Sequence, residues 1–201
     1  MSFKTVRDFE RQIADFYDAP YAVATDCCTH AVELCLRYLK PTDSIGIPTH
    51  TYISIPFLAN KLGLDMHWVD LEWEKYYTIE GTDIIDAAVC FERNAYIPLS
   101  FMCLSFQFRK PLGLGRGGAI LCHYESDYDA LKAMSYDGRL DNDKPWGTQA
   151  IDRVGYHYYM TPETAQAGID KLDEIKFQKF PKWSYKDYPY LPDMPVFKGT
   201  T

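Results

Sequence analysis

The amino-acid sequence predicts an α/β fold, with three layers, a mainly parallel sheet and helices on both faces of that sheet. Three observations lead to this prediction. Short apolar runs typical of buried strands alternate with segments of helical periodicity along most of the chain. Their order and spacing fit βαβ crossovers. The chain has 201 residues, of which 47% are hydrophobic, enough to bury one substantial core.

The first part of the chain supplies the clearest alternation. The first predicted helix is closed by the segment 18–20. Its apolar residues recur at helical spacing; they are Val6, Phe9, Ile13 and Phe16. Strands are predicted at 21–25, 44–47 and 66–69, and helices at 29–39 and 51–62. Pro56 is expected to kink or shorten the last of these helices.

The second part completes the domain and ends in a different composition. Strands are predicted at 83–85, 99–104 and 119–122, and helices at 126–134 and 161–175. Residues 1–175 are therefore predicted to form the α/β domain. Residues 176–201 carry five lysines and four prolines, which favours an irregular C-terminal arm. This arm is expected to pack across a dimer partner; nucleic-acid binding is the weaker interpretation because Asp187 and Asp193 oppose it.

Charge and cysteine usage restrict the class of protein. The formal net charge of −7 argues against a nucleic-acid partner, which usually requires a basic surface. No apolar stretch approaches the roughly 18 residues that span a bilayer, and the N-terminus lacks a signal-like apolar region. The six cysteines show neither CxxC nor Cys/His spacing, so neither a metal site nor a disulfide framework is expected. We therefore expect a cytoplasmic protein without a membrane partner.

The glycine-rich stretch from Ser105 to Gly118 carries the first candidate site. Lys110 lies there on a predicted turn, where its amine could form a Schiff base with an aldehyde cofactor. Ser105 ends an apolar run, so its hydroxyl could meet a phosphate beside the same loop. The alternative is a solvated surface lysine. Residues 113–118 match GxGxxG but lead into a strand, so a dinucleotide site is not supported.

Two strand ends carry further candidates. The turn 26–30 joins a strand to a helix, so its amides and the Thr29 hydroxyl could bind an anion, or Thr29 could only cap the helix. Asp86 follows an apolar strand and precedes small residues, which suits a carboxylate partner for a ring nitrogen. The alternative for Asp86 is a carboxylate that caps a turn.

Taken in order, these segments resemble the DegT/StrS family of sugar aminotransferases, pyridoxal-phosphate enzymes of fold type I. The matching segments are Tyr21 to Ala31 (YAVATDCCTHA), Ile47 to Tyr52 (IPTHTY), Asp86 to Ala88 (DAA), Ser105 to Ala119, with its SFxxxK and GxGGA spacing, and Gly155 to Thr161 (GYHYYMT). The resemblance implies a reduced large domain of fold type I that lacks an internal segment and a C-terminal domain.

The resemblance also implies roles for individual residues. Lys110 would bind pyridoxal 5′-phosphate (PLP) as a Schiff base, and Asp86 would pair with its pyridine nitrogen. Tyr52 would stack on the ring. The phosphate would be bound by Thr29, the backbone of His30 and Ser105. His157 would reach the cofactor of a partner subunit, which implies a homodimer with a shared active site.

Two functions follow from these roles. The first is an aminotransferase that moves an amino group from a glutamate-like donor to a keto sugar, expected to be nucleotide-linked. The second is a reduced, non-catalytic relative that serves as a PLP-binding or assembly module. The short segment between Asp70 and Asp86, where the family has a longer one, favours the second.

Overall fold

Helices and strands alternate in the computed structural model, which describes residues 2–142 and 144–198. The helices are α1 (Phe3–Tyr17), α2 (Cys28–Leu39), α3 (Ser54–Leu62), α4 (Glu125–Ser135) and α5 (Pro162–Ile175). The strands are β1 (Tyr21–Thr25), β2 (Ile45–Pro48), β3 (Met66–Val69), β4 (Tyr77–Thr78), β5 (Ile84–Asp86), β6 (Phe101–Ser105) and β7 (Gly118–Cys122). Every predicted helix and strand is present, with small shifts at the ends.

The sheet is mixed, with most strands pointing the same way. Its main part has the order β1-β7-β6-β5-β4, and β2 pairs with β3 in parallel. Gly46 and Glu80 exchange two backbone hydrogen bonds of 3.0 Å, which join β2 to the chain that continues β4. The pairings give β1, β2, β3, β5 and β6 one direction, while β4 and β7 run against them. The predicted α/β fold class is therefore confirmed.

Side chains alternate between two apolar cores on either side of the sheet. In β1, Ala22 and Ala24 face the core formed with α1 and α5, whereas Val23 faces the core formed with α2, α3 and α4. The same alternation continues in β7, where Leu121 and Ile120 face opposite sides. This period of two explains why the apolar strand runs are continuous, since both faces are covered by helices.

Local signals explain most helix ends. Asp18 ends α1 in the left-handed conformation, with φ of 59°, and Pro20 follows. Pro56 lies in the first turn of α3, where its missing N–H costs no intrahelical bond, and the helix begins at Ser54, later than the predicted start at residue 51. Among the described residues, no helix is both long and apolar enough to cross a membrane.

The C-terminal arm packs across its own chain. Its described part, residues 176–198, contains three 3₁₀ helices, Tyr185–Asp187, Leu191–Asp193 and Pro195–Phe197. Leu191 is fully buried, and the Phe197 ring packs against Phe57 and Trp68. The arm thus contacts α3, β3 and the segment after β2 within one protomer.

Truncation of Phe9 tests the core between α1 and the sheet. The Phe9 ring is fully buried and packs edge-on against Phe106 at 5.6 Å, directly after β6. We expect Phe9→Ala to lower the free energy of unfolding by about 3–5 kcal/mol, because it removes a buried ring and leaves a cavity. Urea denaturation measures this change.

Phe177→Ala is the matched control, because that ring is 78% exposed. The Phe177 ring makes cation–π contacts with Arg93 and Lys176, so we expect its truncation to lower the free energy of unfolding by less than about 1 kcal/mol. Similar losses in the two variants would contradict the placement of Phe9 in the core.

Candidate active site

A cavity of about 350 Å³ opens at the carboxyl edge of the sheet. Strands β1, β5 and β6 run in the same direction, so their carboxyl ends meet at this edge. Asp86 and Ser105 are the last residues of β5 and β6, and both line the cavity. The turn after β1 contributes Thr29, and the loop after β6 contributes Lys110.

The Lys110 loop is a tight connection between β6 and β7. Backbone N–H groups of Phe108 and Lys110 donate to the carbonyls of Gly115 and Gln107, at 3.2 and 2.8 Å. Gly115 turns the chain with a φ of 80°, a conformation that favours glycine. Burial lowers the pKa of the Lys110 amine, and the charge of Asp86 offsets this only in part. More of this amine is therefore neutral near pH 7 than in an exposed lysine.

Asp86 is a buried carboxylate with two hydrogen-bond donors. The Tyr77 hydroxyl donates to Oδ2 at 2.7 Å, and the Ala88 backbone N–H donates to Oδ1 at 3.0 Å. The Tyr77 hydroxyl in turn accepts from Thr51. Burial raises the pKa of Asp86, while the bonds from Tyr77 and Ala88 and the charge of Lys110 oppose that rise. A cation placed against this carboxylate would therefore stabilise its charged form.

The turn after β1 presents polar groups to the cavity. Helix α2 starts at Cys28, so the first N–H groups of the helix lack intrahelical partners. The Thr29 hydroxyl shares a 2.8 Å hydrogen bond with Ser54, which also lines the cavity. A Cβ on Gly118 would lie 2.5 Å from the Cys28 nitrogen, so only glycine lets β7 pack beneath this turn.

Asp26 lies in the same turn and is paired with two cations. His30 Nδ1 lies 2.6 Å from Oδ1, and Arg116 donates to Oδ2 at 2.7 Å. Burial alone would lower the pKa of His30, but its hydrogen bonds with Asp26 and Cys27 raise the pKa to about 9. At pH 7 two positive charges therefore accompany one negative charge. Asp26, Cys27 and His30 offer donor atoms within 4.8 Å of one another, and the ion pairs of Asp26 with His30 and Arg116 engage two of these three groups.

The structure brings five of the seven predicted site residues to one cavity. These five are Thr29, Tyr52, Asp86, Ser105 and Lys110. His30 lies in the first turn of α2, and its ring stacks on Tyr158 at 3.7 Å, outside the cavity lining. His157 has a side chain that is 69% exposed, with Nδ1 at 3.1 Å from Asp137.

Sequence reasoning missed several residues of the site. Tyr77 lies on the two-residue strand β4, which is too short for a periodic signal. The C-terminal arm contributes Trp183, Asp187 and Tyr188 to the cavity lining. The aromatic content of the arm was the available signal, but the sequence does not specify which surface those rings contact.

A family model for the DegT/DnrJ/EryC1/StrS aminotransferases matches residues 1–102 and 97–184. The chain belongs to this family. Solved structures with the same fold include AtS13 from Actinomadura melliaura, with a TM-score of 0.73 at 18% identity, covering 86% of this chain and 60% of that one. No curated protein sequence matches this chain.

Two further structures give the same picture of the family fold. The sugar aminotransferase CalS13 from Micromonospora echinospora has a TM-score of 0.69 at 15% identity, covering 84% of this chain and 60% of that one. Spr1654 from Streptococcus pneumoniae, in its PLP form, has a TM-score of 0.70 at 17% identity, covering 85% and 59%. The chain thus spans about 60% of the length of these proteins.

The pairing of His30 with Asp26 predicts a pH dependence of stability. Because the pKa of His30 rises from 6.5 to about 9 on folding, the pairing contributes fully below about pH 6.5. Its contribution is lost as the pH rises through about 9. We expect the free energy of unfolding, measured in urea between pH 6.5 and 9.5, to fall less in Asp26→Asn than in the native protein.

His30→Gln is the companion variant, since it removes the titrating ring itself. It should show the same shallower fall with pH. A native-like fall in both variants would contradict the assigned pairing.

Proposed function

We propose that this protein is a PLP-dependent aminotransferase that acts on a keto sugar. The observation that supports this most is the convergence of an amine, a buried carboxylate and two hydroxyls on one cavity. They are Lys110, Asp86, Thr29 and Ser105, and they come from three separate segments of the chain. Residues 1–175 would form the catalytic domain, and residues 176–201 the arm that packs on it.

The residues of the cavity fit the ring end of PLP. Asp86 has no cation within ion-pair distance among the described residues, and burial raises its pKa. A protonated pyridine nitrogen would supply the missing positive charge. Tyr52, which lines the cavity and is 58% exposed, has a ring face available for stacking.

The phosphate end has a matching set of donors. The first turn of α2 and the Thr29 hydroxyl offer N–H and O–H donors, and Ser105 Oγ lies at the end of β6. The pairing of Asp26 with His30 and Arg116 leaves an excess of positive charge beside this turn. That excess offsets the repulsion that Asp26 alone would exert on a phosphate.

Lys110 would carry out the proton transfers. When bound, PLP supplies an electron sink that stabilises negative charge at the donor α-carbon. Lys110 Nζ would take the proton from that carbon and return it, which requires a neutral amine. The lowered pKa of Lys110 supports this role. Asp86 would keep the pyridine nitrogen protonated, and Tyr77 would orient the Asp86 carboxylate.

The finer proposals concern substrates and assembly. We propose a glutamate-like amino donor and a nucleotide-linked sugar acceptor, as the family resemblance implies. We also propose a homodimer with a shared active site, in which the exposed His157 contacts the partner's cofactor. The exposed Trp146 and Val154 side chains, in the segment before His157, support a contact surface there. Six free thiols support a reducing, cytoplasmic location.

The second candidate function is a non-catalytic PLP-binding or assembly module. It is favoured by the brevity of the connection between β3 and β5, which contains only the two-residue strand β4. A module would bind PLP without consuming the amino donor.

The covalent role of Lys110 is tested by borohydride reduction of the protein mixed with PLP. We expect mass spectrometry to locate a pyridoxyl adduct on Lys110, because its amine lies in the cavity with a lowered pKa. Lys110→Ala should lose that adduct.

The exposed Lys179, which does not line the cavity, provides the control variant Lys179→Ala. An adduct that persists in Lys110→Ala, or one absent from the native protein, would refute the covalent role.

Asp86→Asn tests catalysis and separates the two functions. PLP-loaded native protein mixed with glutamate should release one equivalent of 2-oxoglutarate per site. Asp86→Asn should slow this release by about 10²-fold or more, because the ring nitrogen loses its carboxylate partner. PLP binding without any 2-oxoglutarate release from the native protein would favour the module.

A further inference from the structure

The Lys110 amine lies over the face of an aromatic ring from the C-terminal arm. Its Nζ is 4.7 Å from the ring centroid of Trp183, well within the range of a cation–π contact. Trp183, Asp187 and Tyr188 all line the cavity that contains Lys110. The arm therefore forms one wall of the candidate active site.

Backbone hydrogen bonds fix the position of this wall. The Lys75 N–H donates to the Trp183 carbonyl at 2.8 Å, and the Tyr185 N–H donates to the Trp73 carbonyl at 3.0 Å. Farther along the arm, the Leu191 N–H donates to the Thr49 carbonyl at 2.9 Å.

Side chains reinforce these bonds. His50 Nδ1 lies 2.9 Å from the Tyr188 carbonyl, and the Trp73 and Tyr188 rings are 5.4 Å apart. The Leu191 side chain is fully buried. The backbone of the segment 183–185 is thus fixed to the segment 73–75.

No other described group makes a direct charge contact with the amine. Within the described residues, no carboxylate lies within 4.0 Å of Lys110 Nζ. The charges of Asp86 on β5 and Cys28 on α2 act on the amine through space and oppose the lowering of its pKa by burial. The other charged or titratable side chains around the cavity are Cys27, Tyr52, Tyr77, Arg109, Arg116, Asp187 and Tyr188. Among the described residues, the indole face of Trp183 is therefore the group with which the ammonium makes a direct cation–π contact.

We infer that Trp183 is a positioning residue of the active site, whose indole face holds the Lys110 ammonium against the arm. The contact depends on positive charge, because the ring face attracts a cation and not a neutral amine. It would therefore hold the resting lysine and release it once Nζ becomes neutral. This inference goes beyond the proposed function, since it concerns the protein before a cofactor binds.

Competitive acetylation of the cofactor-free protein tests this inference. The rate at which acetic anhydride labels Lys110, followed by mass spectrometry from pH 6 to 11, gives the pKa of its amine. Trp183→Leu keeps apolar bulk over the amine but removes the aromatic face. We expect the pKa to fall by about 0.4 to 1.5, because the charged form loses its cation–π contact while the burial remains.

In Trp183→Phe the pKa of Lys110 should lie between its values in the native protein and in Trp183→Leu, because phenylalanine keeps a weaker aromatic face. Phe177→Leu is the matched control, since the Phe177 ring is 78% exposed and does not line the cavity. It should leave the Lys110 pKa unchanged.

An unchanged or higher pKa in Trp183→Leu would overturn the inference, and so would equal values in Trp183→Leu and Trp183→Phe. Because Trp183 is only partly buried and makes its backbone bond through its carbonyl, these variants should fold. The labelling uses no PLP, so its result is independent of whether Lys110 binds the cofactor.

Discussion

The shared direction of β1, β5 and β6 is the constraint on which the site depends. Because these strands run in parallel, Asp86, Ser105 and the turn after β1 meet at one edge of the sheet. The antiparallel strand β7 then allows a short loop to return from β6 and carry Lys110 back over the same edge. Gly118 permits this return, because no side chain fits between β7 and the turn before α2.

Burial and pairing divide the charges of the site into two regions. In the interior, burial lowers the pKa of Lys110 and raises the pKa of Asp86. Both shifts move the pKa towards neutral pH, where a group can give up and take up a proton. At the turn, Asp26 is surrounded by His30 and Arg116, and the charges remain fixed. The first region suits proton transfer, and the second suits an anion.

Much of this arrangement could be predicted from the sequence. Continuous apolar runs predicted the strands because both faces of the sheet are covered. The family resemblance of the segments around Lys110 and Asp86 implied that these two residues share one site, and both line the same cavity. The contribution of Tyr77 could not be predicted, since β4 has only two residues and no period. Nor could the place of Trp183, because the arm is bound through backbone groups that carry no sequence signal.

The segment between β3 and β5 performs two tasks within a few residues. Tyr77 hydrogen-bonds Asp86 inside the protein, while the backbone of Trp73 and Lys75 binds the arm on the outside. An insertion in this segment would move the backbone groups of Trp73 and Lys75, which bind the arm, away from Tyr77 and Asp86. Relatives with a short segment between β3 and β5 should consequently also have the aromatic C-terminal arm, and relatives with a longer segment should lack it. Comparison of homologous sequences can reveal this correlation.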